Sequence, residues 1–213
     1  MTYADDIIAG KYKIPISWLH TQAYCEYQIF LEHVKGISVD RSIAMIVGAE
    51  SHAKLDAEHA AKVEEIMSLE EVLVQSTERK VTFVAREVGV ENLYLKGIID
   101  EIRISPAEII IIDDKPTKGK AWPADIRQVW GYCWAYSDQY KPDRTLYGAV
   151  RDRETQEFVW QEPFTENAKK DVKEATFRII DILKGVRAAV PTRKPQKCKP
   201  CRFRKVCDKC LST

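Results

Sequence analysis

The sequence predicts an α/β protein, because stretches typical of buried strands alternate with stretches typical of amphipathic helices. Four consecutive isoleucines in Glu108–Lys115 are typical of a strand buried on both faces, where β-branched side chains pack well. A helical apolar period over 165–184 is typical of a long amphipathic helix. With 213 residues, of which 45% are hydrophobic, we expect one large domain that spans 1–213.

The N-terminal part of the chain predicts a helix from Ser17 to about His33. Apolar residues recur at helical spacing there, and Ser17 is a residue type that caps helices. Cys25 lies inside this helix, where a single cysteine is usually a small buried hydrophobic residue.

A second helix is predicted over 42–67. It places Gly48 and His52 on one face, four residues apart, so that the imidazole has room beside it. His52 is a candidate metal ligand, although a solvated or core-edge histidine is the commoner outcome.

Extended patterns follow at 72–74, 80–88 and 93–104, and the last of these has a charged residue at a position where an apolar one is expected. Ile98, Asp100, Ile102 and Ile104 alternate, so all four are expected on one face. A carboxylate in an apolar face is costly unless it is paired or used. The short Ser105-Pro106 turn then predicts an antiparallel hairpin with the isoleucine strand, in which Asp100 approaches Asp113.

The polar end of the isoleucine strand is the main candidate site. Asp113 and Lys115 are two residues apart and leave the same face of the strand. Two carboxylates that share a site repel unless a cation lies between them, so Asp100 and Asp113 suit a divalent metal, with Lys115 beside the attacking water. The alternative is an ordinary strand end followed by a polar loop.

The second half of the chain continues the alternation. Pro123 is placed for the first turn of a helix that ends near Tyr140 and carries Gln128 and Tyr132 on one face. We expect Trp130 and Trp134 in the core. The remaining elements are predicted as strands at 145–151 and 157–160 and a helix at 165–184.

The C-terminal segment combines basic residues with cysteines. The net charge of the chain is only +1, yet the stretch from Arg193 to Cys210 contains eight Lys or Arg and one acid, which hints at nucleic acid. Cys198, Cys201, Cys207 and Cys210 have the spacing C-x2-C-x5-C-x2-C. This spacing favours a metal or an iron–sulfur cluster over disulfides; the four could bind zinc, or Cys25 could supply a distant thiolate to a cluster.

Taken together, these motifs resemble the RecB-like branch of the PD-(D/E)xK nuclease superfamily. Within that branch, an N-terminal cysteine and a C-terminal C-x2-C-x5-C resemble the CRISPR-associated exonuclease family Cas-four. The ordered residues that carry the resemblance are His52 after Gly48, Asp100 after Gly97, Asp113 and Lys115, Gln128 and Tyr132, and the cysteines.

The resemblance implies a restriction-endonuclease-like core, a central mixed sheet flanked by helices, with a cysteine-rich C-terminal segment that closes an iron–sulfur site. It implies Mn²⁺ or Mg²⁺ on His52, Asp100, Asp113 and the backbone carbonyl of Asp114, with Lys115, Gln128 and Tyr132 completing the catalytic site. The cluster, [4Fe–4S] or [2Fe–2S], would be bound by Cys25, Cys198, Cys201 and Cys207, with Cys210 as a possible substitute. Segment 191–213 would pack against the N-terminal helix.

The implied function is hydrolysis of DNA, chiefly at single-stranded ends, during CRISPR spacer acquisition, with the CRISPR integrase complex as a partner. Endonuclease activity is a further possibility. The alternative is a non-catalytic iron–sulfur or zinc DNA-binding adaptor of an integrase or repair complex. No segment approaches 18 apolar residues and no signal pattern is present, so we expect a soluble cytoplasmic protein without membrane contact.

Overall fold

The computed structural model of the protein describes residues 3–40 and 69–212. The predicted helix over 42–67, which includes His52, lies outside the described residues. The helices are α1 (Tyr3–Ile8), α2 (Ser17–Ile29), α3 (Leu69–Arg79), α4 (Pro123–Tyr140), α5 (Glu166–Leu183) and the single turn α6 (Pro195–Cys198), with a π-helical turn at Phe30–Val34. The strands are β1 (Ile14–Pro15), β2 (Phe83–Glu91), β3 (Leu95–Ile104), β4 (Glu108–Lys115), β5 (Thr145–Asp152) and β6 (Phe158–Pro163).

The strands form one mixed sheet, as expected for the predicted α/β class. Its order is β1-β3-β4-β5-β6, and β2 pairs with β3. The β3–β4 and β5–β6 pairs are antiparallel, whereas β4 and β5 are parallel. A parallel neighbour requires a crossover, and α4 supplies it between β4 and β5.

The β3–β4 hairpin is confirmed, and its two strands separate at the candidate site. The antiparallel ladder runs from Ile104 opposite Ile109 to Glu101 opposite Ile112. Beyond it, the Asp114 backbone N–H donates to Asp100 Oδ2 at 2.7 Å instead of to a main-chain carbonyl. A side chain therefore takes the place of the ladder where the two predicted carboxylates meet.

The predicted apolar face of β3 is wrong for its first residue, Ile98. Ile98 is 53% exposed, and Ile99 is buried in its place. Burial is continuous from Ile99 to Ile102, so the simple alternation is interrupted there. Glu87, between the residues that pair with Ile99 and Glu101, has a φ of 51°, and this left-handed backbone distorts β2 opposite Asp100.

Helix α4 packs across the sheet, and α2 and α5 pack against α4. The close contact between α2 and α4 requires Gly131, since a Cβ there would lie 2.4 Å from Leu19 Cδ1. Trp130 and Trp134 are buried in this core, as the sequence predicted. The packing fixes the face of α4 that carries Gln128 and Tyr132 over the ends of β3 and β4.

The first predicted helix is present, but it is bent. Ile16, not Ser17, occupies the cap position, without a side-chain hydrogen bond. Cys25 has extended backbone angles (φ −168°, ψ 110°) inside α2, so a kink interrupts the predicted helix, although helical turns continue to Val34, close to the predicted end at His33. At the kink, Cys25 packs beside Tyr27, Leu31 and Phe203.

The predicted extended pattern at 72–74 is also wrong, because these residues lie in α3. Val72 and Ser76 are buried four residues apart while Val74 is exposed, which is a helical period. The Arg144 guanidinium donates to the Leu73 carbonyl and to Ser76 Oγ, and so holds α3 against the β3–β4 turn. Tertiary contacts thus outweigh the strand preference of two valines.

Among the described residues, the structure contains no helix that is both long and apolar enough to cross a membrane.

Candidate active site

Three predicted site residues meet where β3 and β4 separate. Lys115 Nζ lies 2.9 Å from Asp113 Oδ2, which confirms that the two side chains share a face. Asp100 accepts a hydrogen bond from the Asp114 backbone beside them. Asp113 is almost completely buried and Asp100 is nearly so. The site therefore holds two buried carboxylates with one ammonium group.

Gln128 connects helix α4 to this group. Its Oε1 accepts from Lys115 Nζ at 3.4 Å, and its Nε2 donates to Asp113 Oδ1 at 3.3 Å. The same Nε2 donates to the Tyr132 hydroxyl at 3.1 Å, one helical turn along. The predicted Gln128–Tyr132 face is therefore brought onto Asp113 and Lys115.

The electrostatics of the site leave negative charge in need of a cation. Burial, and then the charge of Asp113, raise the pKa of Asp100 well above its usual value, although Lys115 opposes them. Burial alone would lower the pKa of Lys115, but Asp113 and Asp100 raise it, so the ammonium stays charged. Within the described residues, Lys115 is the cation in contact with Asp113, and one ammonium offsets only one of two ionised carboxylates.

The opposite face of the same strand ends carries an ionic network that the sequence reasoning missed. Arg151 Nε lies 2.7 Å from Asp114 Oδ1, and Arg151 Nη2 lies 2.8 Å from Glu101 Oε2. Arg86 contributes a second guanidinium, 2.8 Å from Glu101. The signal was available, because Glu101 and Asp114 are charged residues in strands buried on both faces, which need a partner.

This network lowers the pKa values of both acids. Burial alone would raise the pKa of Asp114, but the hydrogen bonds and charge of Arg151, followed by those of Arg86, lower it. The pKa of Glu101 is likewise lowered, mainly by Arg151, against the effect of burial. Arg103 adds a third guanidinium, with Nε 2.9 Å from Glu101 Oε1, so guanidinium charge at least matches the two carboxylates on this face.

The backbone carbonyl of Asp114, a predicted metal ligand, is already in contact with a cation. Arg153 Nη2 donates to this oxygen at 2.7 Å. A carbonyl oxygen has a second lone pair, so Arg153 and a metal ion can share it. Arg153 was not predicted, and it follows directly after β5 in the sequence.

The C-terminal cysteines are gathered around Cys25. All six cysteines of the chain have free thiols, and five of them, all except Cys133, line a single cavity of about 20 Å³. The Thr192 backbone N–H donates to Cys25 Sγ at 3.3 Å, and the Tyr27 hydroxyl donates to Asp208 at 2.8 Å. The C-terminal segment is thus hydrogen-bonded to the kinked part of α2.

Neither group of residues forms a complete metal site. Within residues 3–40 and 69–212, no three His, Cys, Asp or Glu side chains are arranged so that they could hold a metal ion. For the catalytic group this count excludes His52, the third side-chain ligand predicted from the sequence, which lies outside the described residues. For the thiols, the cavity of about 20 Å³ has room for about one water molecule.

A comparison with solved structures supports a shared fold at low sequence identity in one case, and two further structures are less similar. The "Putative exonuclease" from Eubacterium rectale has a TM-score of 0.50 and 17% identity, with 100% of this chain and 96% of that chain covered. SSO0001 has a TM-score of 0.47 and 19% identity, covering 94% and 87%. The alkaline exonuclease from Laribacter hongkongensis has a TM-score of 0.35 and 11% identity, covering 85% and 93%.

No curated protein matches the sequence at a significant level. A family model does match, and it covers residues 30–208, which include the β3–β4 hairpin, helix α4 and most of the cysteine tail. The chain belongs to the PD-(D/E)XK nuclease superfamily.

Proposed function

We propose that the protein is a divalent-metal-dependent deoxyribonuclease that hydrolyses DNA from its ends. The observation that carries this proposal is the meeting of Asp100, Asp113 and Lys115 where β3 and β4 separate, with Gln128 bonded to both members of the Asp113–Lys115 pair. Two carboxylates and a lysine on adjoining strand ends suit metal-assisted phosphodiester hydrolysis.

The donor set fits Mn²⁺ or Mg²⁺. Asp100 and Asp113 are hard oxygen ligands, and their mutual repulsion, seen in the raised pKa of Asp100, is relieved by a cation between them. His52 and the Asp114 carbonyl are proposed to complete the ligand set. An imidazole beside carboxylates suits manganese as well as magnesium. When bound, the ion would neutralise charge on the scissile phosphate and lower the pKa of a bound water.

The protein side chains then position and activate the water. Lys115 holds its proton because of the two carboxylates, so it acts as a charged donor that orients the water and the phosphate oxygen. Gln128 fixes Lys115 and Asp113 relative to each other through hydrogen bonds with both. Tyr132 keeps the Gln128 amide in its orientation. The proposed reaction forms no covalent enzyme intermediate.

The proposed substrate is DNA with single-stranded ends, in CRISPR spacer acquisition beside the integrase complex. The order of the site and cysteine motifs in the sequence supports it, as do the solved structures that are described as exonucleases. Exposed lysines in the loop after β4, Lys118 and Lys120, are placed to contact phosphates. Of the basic tail residues, Arg202 forms an ion pair with Glu32, so the exposed Lys205 is the better candidate.

We further propose that the tail cysteines and Cys25 hold an iron–sulfur cluster that joins the two ends of the chain. The donor chemistry fits, because a cluster needs four thiolates and five thiols converge. Cys201 interacts electrostatically with Cys25, Cys207 and Cys198, and Cys210 interacts with Cys198 and Cys207, so Cys210 stays a possible substitute.

Time courses on end-labelled DNA test the nuclease proposal. We expect single-stranded DNA to be shortened from an end in Mn²⁺, with no cleavage in EDTA and none by an Asp113→Ala variant. Labels at the 5′ and 3′ ends give the polarity. Undiminished cleavage by Asp113→Ala would show that this site is not responsible, and stable DNA binding without cleavage by the wild-type protein would favour the adaptor.

Metal analysis of protein purified without oxygen tests the cluster separately. We expect iron and sulfide with a brown colour, and loss of both in Cys25→Ser. Colourless protein that contains zinc would support a zinc-stabilised segment instead. Iron that survives Cys25→Ser would mean that the four tail cysteines bind it on their own.

A further inference from the structure

Trp122 differs from the other tryptophans of the chain in its exposure. The sequence has five, and Trp122 is 55% exposed. The other four each pack against an aromatic or imidazole ring: Trp18 against His33, Trp134 against Tyr94, and Trp130 against Trp160. Single exposed apolar residues are common, so the neighbours of Trp122 decide whether its ring is a binding surface.

The backbone of Trp122 is fixed, although its ring is exposed. The Trp122 N–H donates to Asp125 Oδ2 at 3.0 Å, and its carbonyl accepts from Ile126 at 3.1 Å. Pro123 follows directly and restricts the Trp122 backbone to extended angles. The ring is therefore presented from a rigid anchor, so little conformational entropy would be lost on binding.

This anchor adjoins the candidate active site. Asp125 is buried in the first turn of α4, one turn before Gln128. Burial alone would raise the pKa of Asp125, but hydrogen bonds from His20 and the Trp122 backbone, with the charge of Lys115, lower it. Gln128 contacts both Asp113 and Lys115, so the Trp122 backbone is held about one helical turn from a residue of the candidate active site.

The charges around the ring suit a polyanion. Lys120 Nζ lies 4.1 Å from the Trp122 ring centroid, a short cation–π contact, and Lys118 is exposed two residues earlier. The loop that carries both lysines is tied down by Thr117, whose hydroxyl donates to Asp152 Oδ2 at 2.5 Å. An exposed ring beside cations is the combination that binds unpaired bases and their phosphates.

We propose that Trp122 stacks on an unpaired base of single-stranded DNA next to the scissile phosphate, with Lys118 and Lys120 on the flanking phosphates. This inference rests on the proposed function and adds to it a residue that determines strand preference. In a duplex the faces of the bases are covered by their neighbours, so only a single strand offers a base to the ring. Trp122 with Lys118 and Lys120, the stacking platform, thus accounts for a preference for single-stranded ends.

Fluorescence anisotropy with a labelled single-stranded oligonucleotide, in Ca²⁺ instead of Mn²⁺, tests the platform. We expect Trp122→Ala to weaken binding about tenfold, the effect of losing roughly one stacked base. Trp122→Phe should restore most of the affinity, because an aromatic face remains. Blunt duplex DNA should bind both variants nearly as well as the wild-type protein.

Phe158→Ala is the matched control, since Phe158 is also an exposed aromatic ring beneath a cation, with the Arg103 guanidinium 5.3 Å from its centroid. It lies on β6 and contacts Arg103 on the face of the sheet that carries the Arg151 network, not on the face of Asp113 and Lys115. We expect unchanged affinity. A second readout is the salt dependence: Lys120→Ala should lower the slope of log K against log salt by about one.

Equal affinity of Trp122→Ala and wild-type protein for the single strand would overturn the platform, and so would equal losses for single strand and duplex. Neither result would affect the proposed function as long as Asp113→Ala abolishes cleavage. Failure of the wild-type protein to bind or cleave any DNA would instead reject the proposed function and the platform with it.

Discussion

The two faces of the sheet at the β3–β4 strand ends both carry acidic and basic side chains, but they differ in how far the basic groups match the acidic ones. On one face, Asp113 is paired with Lys115, and Asp100 lies beside them. On the other, Glu101 and Asp114 are paired with the guanidinium groups of Arg151 and Arg86, and Arg103 adds a third. On this matched face the pKa values of both acids are lowered, whereas on the first, unbalanced face burial and the charge of Asp113 raise the pKa of Asp100.

The difference separates a structural task from a catalytic one. A face whose charges are fully matched gains little from a further ion, while a face with excess negative charge favours a divalent cation. Adjacent residues in one strand serve the two tasks, because Asp113 and Asp114 point to opposite sides of the sheet.

Replacing the cation of the unbalanced face should have the largest effect on activity. We expect Lys115→Met to lower the cleavage rate by roughly 10²–10⁴-fold, since the charged donor beside the water is lost. The variant should also unfold at a lower temperature without metal, because Asp113 loses its partner, and Mn²⁺ should restore this loss. Lys169→Met, on the surface of α5, is the control and should behave as wild type. Cleavage within threefold of wild type would exclude a catalytic role for Lys115.

Replacing Arg151, the central cation of the matched face, should instead lower the stability of the protein. Arg151 is almost completely buried, so Arg151→Met leaves two buried carboxylates without their main partner, and we expect a loss of about 3–5 kcal/mol in the free energy of unfolding. Mn²⁺ should not restore it. Arg103→Met, which removes a partly exposed partner of Glu101, should cost much less. The measurement is urea unfolding at pH 7.

The pH dependence of that loss follows from the lowered pKa values of Glu101 and Asp114. An acid whose pKa is lower in the folded than in the unfolded protein stabilises the fold fully at pH values above its unfolded-state pKa, which is about 4 for these acids. This stabilisation is lost as the pH falls through the folded-state pKa. The difference between Arg151→Met and wild type should therefore shrink below about pH 4. A difference that stays constant from pH 7 to pH 3 would contradict the ionic account.

Adding Mn²⁺ to the wild-type protein should raise its free energy of unfolding by an amount that depends on the affinity for the ion. The increase is about 2.7 kcal/mol when the free Mn²⁺ concentration is a hundred times Kd. Asp100→Asn should lose most of this stabilisation, because a ligand and the charge imbalance are both removed. Glu91→Gln, an exposed acid on β2, is the control. Thermal unfolding over a Mn²⁺ titration is the measurement, and equal shifts in wild type and Asp100→Asn would place the ion elsewhere.

The smallest effect should come from the residue that links the helix to the site. Gln128→Ala removes neutral hydrogen bonds to Asp113 and Lys115, so we expect about a tenfold lower cleavage rate, with the protein still folded. Gln139→Ala, exposed near the end of the same helix, should leave the rate unchanged. If Gln128→Ala cleaves at the wild-type rate, Gln128 only packs against the site.

The sequence by itself determined the class of fold, the β3–β4 hairpin, the limits of α4 and the pairing of Asp113 with Lys115. These features depend on local periodicity: β-branched runs form strands, Pro123 begins a helix, and residues two apart share a strand face. The order of the motifs in the sequence also identified the nuclease superfamily.

Only the tertiary structure decided the features that depend on distant partners. Val72 and Val74 lie in a helix because Arg144, some 70 positions later, donates a hydrogen bond to the Leu73 carbonyl of that helix. Asp114 had been expected to contribute only its backbone, and its side chain is held by Arg151 and Arg86, which the sequence places far away. The kink at Cys25 and the exposure of Trp122 are likewise set by packing. Local patterns carry no record of which distant charges and surfaces will meet, because that depends on how the sheet and its helices assemble.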